Sequence, residues 1–316
     1  MAFLKKREPA TAEHPYIPSR KKFRIKGTTI FIIVMLAYPV IQFCITWFGV
    51  NINSILLTFK DGYGEFLPLD DLFYNFETVF LSFTSDWDIY LASFAYIVLN
   101  CFITLPVSML FAYFIFKKIW GGAAFKAIFY LPCILPIVAL TFVYEMSFTG
   151  GSGANGFMYS FFSLFGVNSA RWMTSDTGAK LLVWVFCFWT GIGYDVMLMS
   201  AAMARIPREL LESAKMDGIT PMKEFFHVVI PLSWPTITTL MIFAMLGFFG
   251  TYLQPMLLAE GTHGTMTLGL KIFQDAQGDV SKYGAATLGL VWTIIGAPII
   301  LAVRNLMNRC FKEVTF

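Results

Sequence analysis

The side chains best suited to nucleophilic, acid–base or metal chemistry are few in this chain and are not spaced for it. His14, His227 and His263 are far apart; Cys44, Cys101, Cys133 and Cys187 lie inside apolar segments, and Cys310 lies in the C-terminal tail. Such spacing makes neither a disulfide framework nor a metal-ligand set, and no HExxH, GxSxG or GxxxxGK(S/T) string occurs. No catalytic residue, metal site or bound cofactor is therefore expected on the chain itself, and no nucleic-acid partner.

Two places do carry polar chemistry. One is Asp195, within VWVFCFWTGIGYDVMLMSAAMA, where Trp184, Trp189 and Tyr194 are aromatic and Thr190, Gly191 and Gly193 provide polar or open backbone. Ten residues separate Asp195 from Arg205, about 15 Å along a helix, which puts the acid near the middle of a bilayer. A charge left in lipid there costs at least about 2.5–3.5 kcal/mol, so it must face a neighbouring helix or a wet cavity. The other place is residues 205–235, RIPRELLESAKMDGITPMKEFFHVVIPLSWP, the longest charged interruption after residue 178.

The elements that must position these residues are membrane helices. Hydrophobic residues make up 57% of the 316 and charged residues only 14%, which excludes an ordinary soluble protein. Continuous apolar runs of 20 or more residues at roughly 28–50, 89–116, 123–147, 178–204, 236–260 and 284–308 each suffice to cross about 30 Å of hydrocarbon as a helix. The expected fold class is all-α and polytopic, with six transmembrane helices over 28–308. Residues 1–27 read as a basic cytoplasmic tail, since the apolar run that follows is too long for a secretory signal peptide and lacks an obvious small-residue cleavage site, and residues 309–316 read as a short second tail. All of the 23 lysines and arginines except Lys60, Arg171, Lys180, Lys271 and Lys282 fall on one side if both termini are cytoplasmic, which sets that orientation. Residues 205–235 then lie in the cytoplasm.

Outside, Leu72, Phe73, Phe76 and Phe80 recur at helical spacing and predict a short helix on the outer surface, either packed at the interface or offered to an external partner. TGGSGANG, from residue 149, reads as a flexible outer loop. Pro132 and Pro136 predict a kink in the third span, as in helices that line a pathway and in many that do not.

Within residues 205–235 the local signals predict two short helices around a glycine turn. Pro207 suits a first helical position, Glu209 and Glu212 the positive end of the dipole, and Lys215 the negative end. Gly218 stands where a left-handed cap is needed. Thr220 and Pro221 restart a helix that is expected to end before Pro231. Leu210, Leu211 and Ala214 form one apolar strip, Phe225, Phe226 and Val229 another. An amphipathic hairpin on the inner leaflet satisfies this pattern as well as a docking element does.

The spacing Glu212-Ser213-Ala214, three residues, Gly218, nine residues, then Val228-Val229-Ile230-Pro231 resembles the EAA loop of binding-protein-dependent ABC importer permeases. IPREL before it and Asp217-Gly218 within it are similar to the maltose-type sugar permeases. Ser213 replaces the second residue of the motif, and Val and Ile replace Ile and Leu. The resemblance implies a type I ABC importer permease fold in a bacterial cytoplasmic membrane. It implies a coupling helix in which Glu212, Ser213, Ala214, Asp217, Gly218 and Pro231 meet one of two cytoplasmic ATPase subunits, where ATP and Mg would be bound. It further implies a second, homologous permease subunit and an extracytoplasmic solute-binding protein. Cargo contacts are implied around Gly191 and Tyr194 before the loop, and around Gly247, Phe248 and Thr251 after it. The alternatives are an ion-coupled secondary transporter, for which only Asp195 is placed, an ABC permease for a solute other than a sugar, and a membrane scaffold that uses the hairpin as an anchor.

Overall fold

The structure is a computed structural model that describes residues 27–150 and 155–310. The basic tail through residue 26, residues 151–154 of the Gly-rich segment expected to be an outer loop, and residues 311–316 lie outside the described residues. Among the described residues no strand forms beyond an isolated bridge between Lys60 and Phe66. By its contacts the chain divides into two units, one ending at Asn53 and one beginning at Ser54. The first unit holds most of α1 (Gly27–Leu57), a helix apolar on every face, which is the composition a lipid-facing span requires.

In the second unit, α2 (Tyr74–Ser85) follows a short helical turn at Leu69–Asp71. The chain then runs through α3 (Trp87–Val98), a π-turn at Leu99–Thr104, and α4 (Leu105–Phe116) as one rod. Next come α5 (Gly122–Ile134), α6 (Ile137–Phe148), α7 (Phe157–Ser163), α8 (Asp176–Met203) and α9 (Arg208–Met216). A second rod joins α10 (Pro221–Glu224), a π-turn at Phe225–Val229, and α11 (Ile230–Gly250). Helices α12 (Leu253–Ala259), α13 (Leu268–Ala276) and α14 (Ser281–Cys310) complete it.

Five of these rods are long and apolar enough to cross a membrane, and α5 with α6 makes a sixth as a pair bent by 106°. The expected kink is thus a break. Leu135 is extended, at ψ 144°, directly ahead of Pro136, because the proline ring clashes with a helical residue before it; Pro132 lies inside α5 without breaking it. The expected fifth span, 236–260, is also interrupted: α11 ends at Gly250, and α12 starts afresh after Thr251 and Tyr252. On α2 the inward residues are Phe76, Val79 and Phe83, while Phe73 and Phe80 are exposed. The buried stripe therefore turns one position away from the expected one.

Helix α8 is the centre of the second unit and packs on α4, α5, α11 and α12. Ser175 caps its start, its hydroxyl accepting from the Gly178 amide at 3.3 Å. Its interior is filled by Phe186, Val196, Met199 and Met203, none more than 1% exposed. At Gly193 the α5 backbone comes so close that a β-carbon would overlap the Phe129 carbonyl oxygen. This glycine, which the sequence offers as open backbone, is a packing residue. A separate aromatic cluster joins Phe83 and Tyr90 to Trp292 and Phe248.

Candidate functional site

The break between α5 and α6 opens a cavity of about 390 Å³ against the middle of α8. Thr190, Gly191 and Tyr194 line it from α8, and Thr251 lines it from the interruption after α11. Nothing lies within 4 Å of a β-carbon built at Gly191, so this glycine opens onto space where Gly193 does not. Cys133, beside the break, donates its thiol to the Thr190 carbonyl at 3.4 Å and holds α5 to α8 at that level.

Opposite stand Tyr96, Asn100 and Gln254. Asn100 is carried on the π-turn, where widened winding displaces a side chain from the regular helical face. The Thr104 hydroxyl donates to its side-chain oxygen at 3.4 Å. Tyr96 is 1% exposed and meets Trp184 edge to face at 6.4 Å. Aromatic rings and neutral amides thus face the same space, whose volume is within the range of small-ligand sites.

The other expected pathway residues divide. Gly247 stands one turn before Thr251, and a β-carbon built on it would lie 3.5 Å from the Thr251 hydroxyl and 3.6 Å from the Asn100 amide nitrogen. Phe248 is 8% exposed and stacked into the Trp292 cluster, because one residue further round a helix points about 100° away. Asp195 does not line the cavity. It makes no hydrogen bond or ion pair among the described residues, so the structural hydrogen bond to a neighbouring helix that could have explained it is not formed.

At the other end of α8, residues 205–235 fold as two helices about a glycine. Pro207 is the cap of α9 rather than its first residue. Ala214 is buried, whereas Glu212, Ser213 and Asp217 are exposed. The Ser213 hydroxyl turns back to the Leu210 carbonyl at 3.1 Å. Asp217 caps the C-terminus and Gly218 follows at φ 73°. The Ile219 amide reaches the Ala214 carbonyl at 3.2 Å and the Gly218 amide reaches that of Lys215 at 3.0 Å, the two bonds of a Schellman cap. A β-carbon at Gly218 would meet nothing within 4 Å, so backbone conformation rather than helix approach requires the glycine.

The second helix does not end before Pro231. It runs on through the π-turn into α11, with Pro231 in the first turn beyond the bulge. Widened winding shifts the hydrogen-bond ladder where a proline lacks its N–H, so the rod continues. Phe225 and Val229 are buried as expected, but Phe226 is 54% exposed.

Two contacts clamp this rod to α4. The Tyr113 hydroxyl donates to the Pro221 carbonyl at 2.9 Å, and Lys117 pairs with Glu224, whose side chain is 3% exposed. Sequence reasoning missed this pair, since Lys117 and Glu224 are 107 residues apart. It also missed Asn100 and Gln254. The signal for Asn100 was present as a lone amide in the apolar string FAYIVLNCFITLP.

Residues 91–312 match the family described as binding-protein-dependent transport system inner membrane component. The chain belongs to this family. Within it, the chain is 29% identical over 221 residues to the probable ABC transporter permease protein MG188 of Mycoplasma genitalium, the match covering 64% of each protein. It is 26% identical to the maltose/maltodextrin permease MalF of Escherichia coli K12, over 68% of this chain and 44% of MalF. It is 23% identical to the arabinooligosaccharides permease AraP of Bacillus subtilis, over 61% and 62% of the two chains. The matches therefore span less than two thirds of each of these relatives. A chain of a bacterial alginate ABC transporter, solved with an alginate pentasaccharide-bound periplasmic protein, superposes with a TM-score of 0.77 at 20% identity, covering 91% of this chain and 97% of that one. The fold is that of this inner-membrane permease family, and the chain is a multi-pass membrane protein.

Proposed function

We propose that the chain is one membrane-spanning subunit of an ATP-driven importer in a bacterial cytoplasmic membrane, and that its cargo is a sugar of oligosaccharide or glycan-fragment size. The cargo is handed over by an extracytoplasmic solute-binding protein. A second, homologous permease subunit completes the pathway, and two cytoplasmic ATPase subunits hold ATP and Mg.

The observation that carries this reading is the continuity between hairpin and cavity. Helix α9 presents Glu212 and Ser213 outward on a short helix whose other face, at Ala214, is packed inward, as an element that fits a partner's groove must be. Immediately before it runs α8, which contributes Thr190, Gly191 and Tyr194 to the cavity. A displacement of α9 by an ATPase subunit would act on the helix that lines the cavity. The carbohydrate reading is supported by Tyr96 and Tyr194 with Asn100 and Gln254: ring faces suit sugar C–H surfaces, and neutral amides suit hydroxyls. The names of MalF and AraP favour the same cargo class. Tyr194 is 47% exposed, so the cavity is open on one side, which suits a pathway shared between two chains.

Reconstitution with the ATPase and binding-protein partners tests the reading. Cargo-stimulated ATP hydrolysis should be lost in Glu212→Ala while assembly of the membrane subunits persists. Uptake driven by an ion gradient without ATP would instead favour an ion-coupled transporter, with Asp195 as its only placed acid.

A further inference from the structure

Among the described residues, five cations gather beside α9 rather than in the cargo cavity. A half-open cavity of about 520 Å³ lies between the end of α4, the start of α5, the end of α8 and α9. Lys117, Lys118, Lys126, Arg208 and Lys215 all line it, and no acid does. Glu224 neutralises Lys117. Lys118, Lys126, Arg208 and Lys215 make no ion pair among the described residues. The acids on α9, Glu209 and Glu212, are exposed and line no part of the cavity.

Positive residues on one membrane face are expected from topology alone, but topology does not require them to line one cavity. Lys118, Lys126, Arg208 and Lys215 are exposed, so solvent screens their mutual repulsion without removing it, and an entering counter-charge is favoured. Three further features converge here. The Ser200 hydroxyl lines the cavity, is shielded from solvent and has no hydrogen-bond partner. Lys118, at φ 52°, closes the C-terminal cap of α4, its amide reaching the Ile115 carbonyl at 3.1 Å and the Ile119 amide the Phe114 carbonyl at 3.5 Å, which fixes its backbone at the rim of the cavity. Helix α9 begins at Arg208 with no side-chain cap, so the positive end of its dipole adds to the charge.

We propose that this cavity binds a phosphate-bearing anion, with Lys118, Lys126 and Arg208 as its cationic walls and the Ser200 hydroxyl as a neutral donor. Two sources share that chemistry: the headgroup of an anionic phospholipid in the adjoining leaflet, and a free phosphate compound in solution. Basic pockets between membrane helices suit the first. Because α9 forms one wall, the bound anion would fix α9 against α4 and α5. The site is built from the cavity's own residues and does not depend on the cargo proposed above.

The test uses the full chain purified in detergent and, separately, the assembled transporter. Native mass spectrometry measures retained phosphatidylglycerol against phosphatidylcholine, and equilibrium dialysis measures radiolabelled pyrophosphate. Lys118→Gln with Lys126→Gln should weaken binding of the relevant probe about thirty-fold, as expected for the loss of two nearby charges, and high salt should weaken it further. Arg304→Gln with Arg309→Gln removes equal charge elsewhere on the chain and should leave it unchanged; arginine at 118 and 126 should restore it. Selective phosphatidylglycerol retention supports the lipid source, and pyrophosphate binding alone supports the soluble source. The proposal is overturned if neither probe binds, if the control pair loses as much as the cavity pair, or if assembly with partner proteins abolishes binding, since the cations would then serve acidic groups of a protein partner.

Discussion

Gly218 offers a clean separation of backbone strain from crowding at the hairpin. Its φ is 73° and its missing β-carbon would meet nothing within 4 Å, so any substitution pays only for the left-handed conformation. That cost is about 1–2 kcal/mol for most residues, smallest for Asn, which tolerates the region, and largest for a β-branched residue such as Val. Expected destabilisation of the α9 cap therefore rises in the order Gly218→Asn, Gly218→Ala, Gly218→Val. The local readout is hydrogen exchange at the Ile219 amide, which is bonded to the Ala214 carbonyl at 3.2 Å. A loss of about 1–2 kcal/mol lowers its protection about 5–30-fold. The same free energy is the most by which ATPase docking can weaken, if docking requires the closed cap. Equal damage from Asn and Val, or full protection in the Val variant, would refute the argument, because the first indicates crowding and the second a cap that does not need the glycine.

Other outcomes follow from the same geometry. Lys117→Met leaves the buried Glu224 carboxylate unpaired and should cost about 2–3 kcal/mol, below the usual 3–5 for a buried pair because the lysine is 26% exposed; adding Glu224→Met should restore most of it, and a double-mutant cycle of thermal unfolding with no coupling energy would contradict the clamp. Gly193→Ala forces α5 away from α8 and should cost about 1–3 kcal/mol, whereas Gly191→Ala, which meets open space, should leave melting unchanged and alter only cargo uptake. On α13, outside the spans, burial raises the Asp275 carboxyl above its ordinary value of 3.8, with Lys271 opposing and Asp86 adding to the rise. A raised carboxyl binds more protons folded than unfolded, so its favourable contribution is complete below the ordinary value and is lost as pH rises through the raised one. Asp275→Asn should accordingly raise the melting temperature at neutral pH, with the gain closing in acid; a gain independent of pH would point to a cause other than ionisation.

Much of the hairpin was legible in the chain because it is governed by neighbours in sequence. Gly218 follows its helix at the position where a left-handed cap closes, and both cap bonds span five residues or fewer. The continuation through Pro231 was not legible, since proline ordinarily stops a helix and only the π-turn ahead of it relieves the missing donor. In the cavity, Thr190, Gly191 and Tyr194 were readable as polar or open positions on an apolar helix, whereas Thr251 was reached only through the family resemblance. Phe248 was misplaced by one helical step, which residue type alone does not reveal.

Composition and charge order determined the membrane class, the number of spans and the position of the interruption that became α9, because lipid admits only continuous apolar helices and the sorting of lysine and arginine is a property of the chain. Tertiary structure decided which of two neighbouring glycines is open, Gly191, and which is closed, Gly193, since that depends on how near α5 comes. It also decided that Lys117 meets Glu224, and that four further cations converge beside α9. Such pairings join residues far apart in sequence, and helix packing alone sets the distances at which charges act.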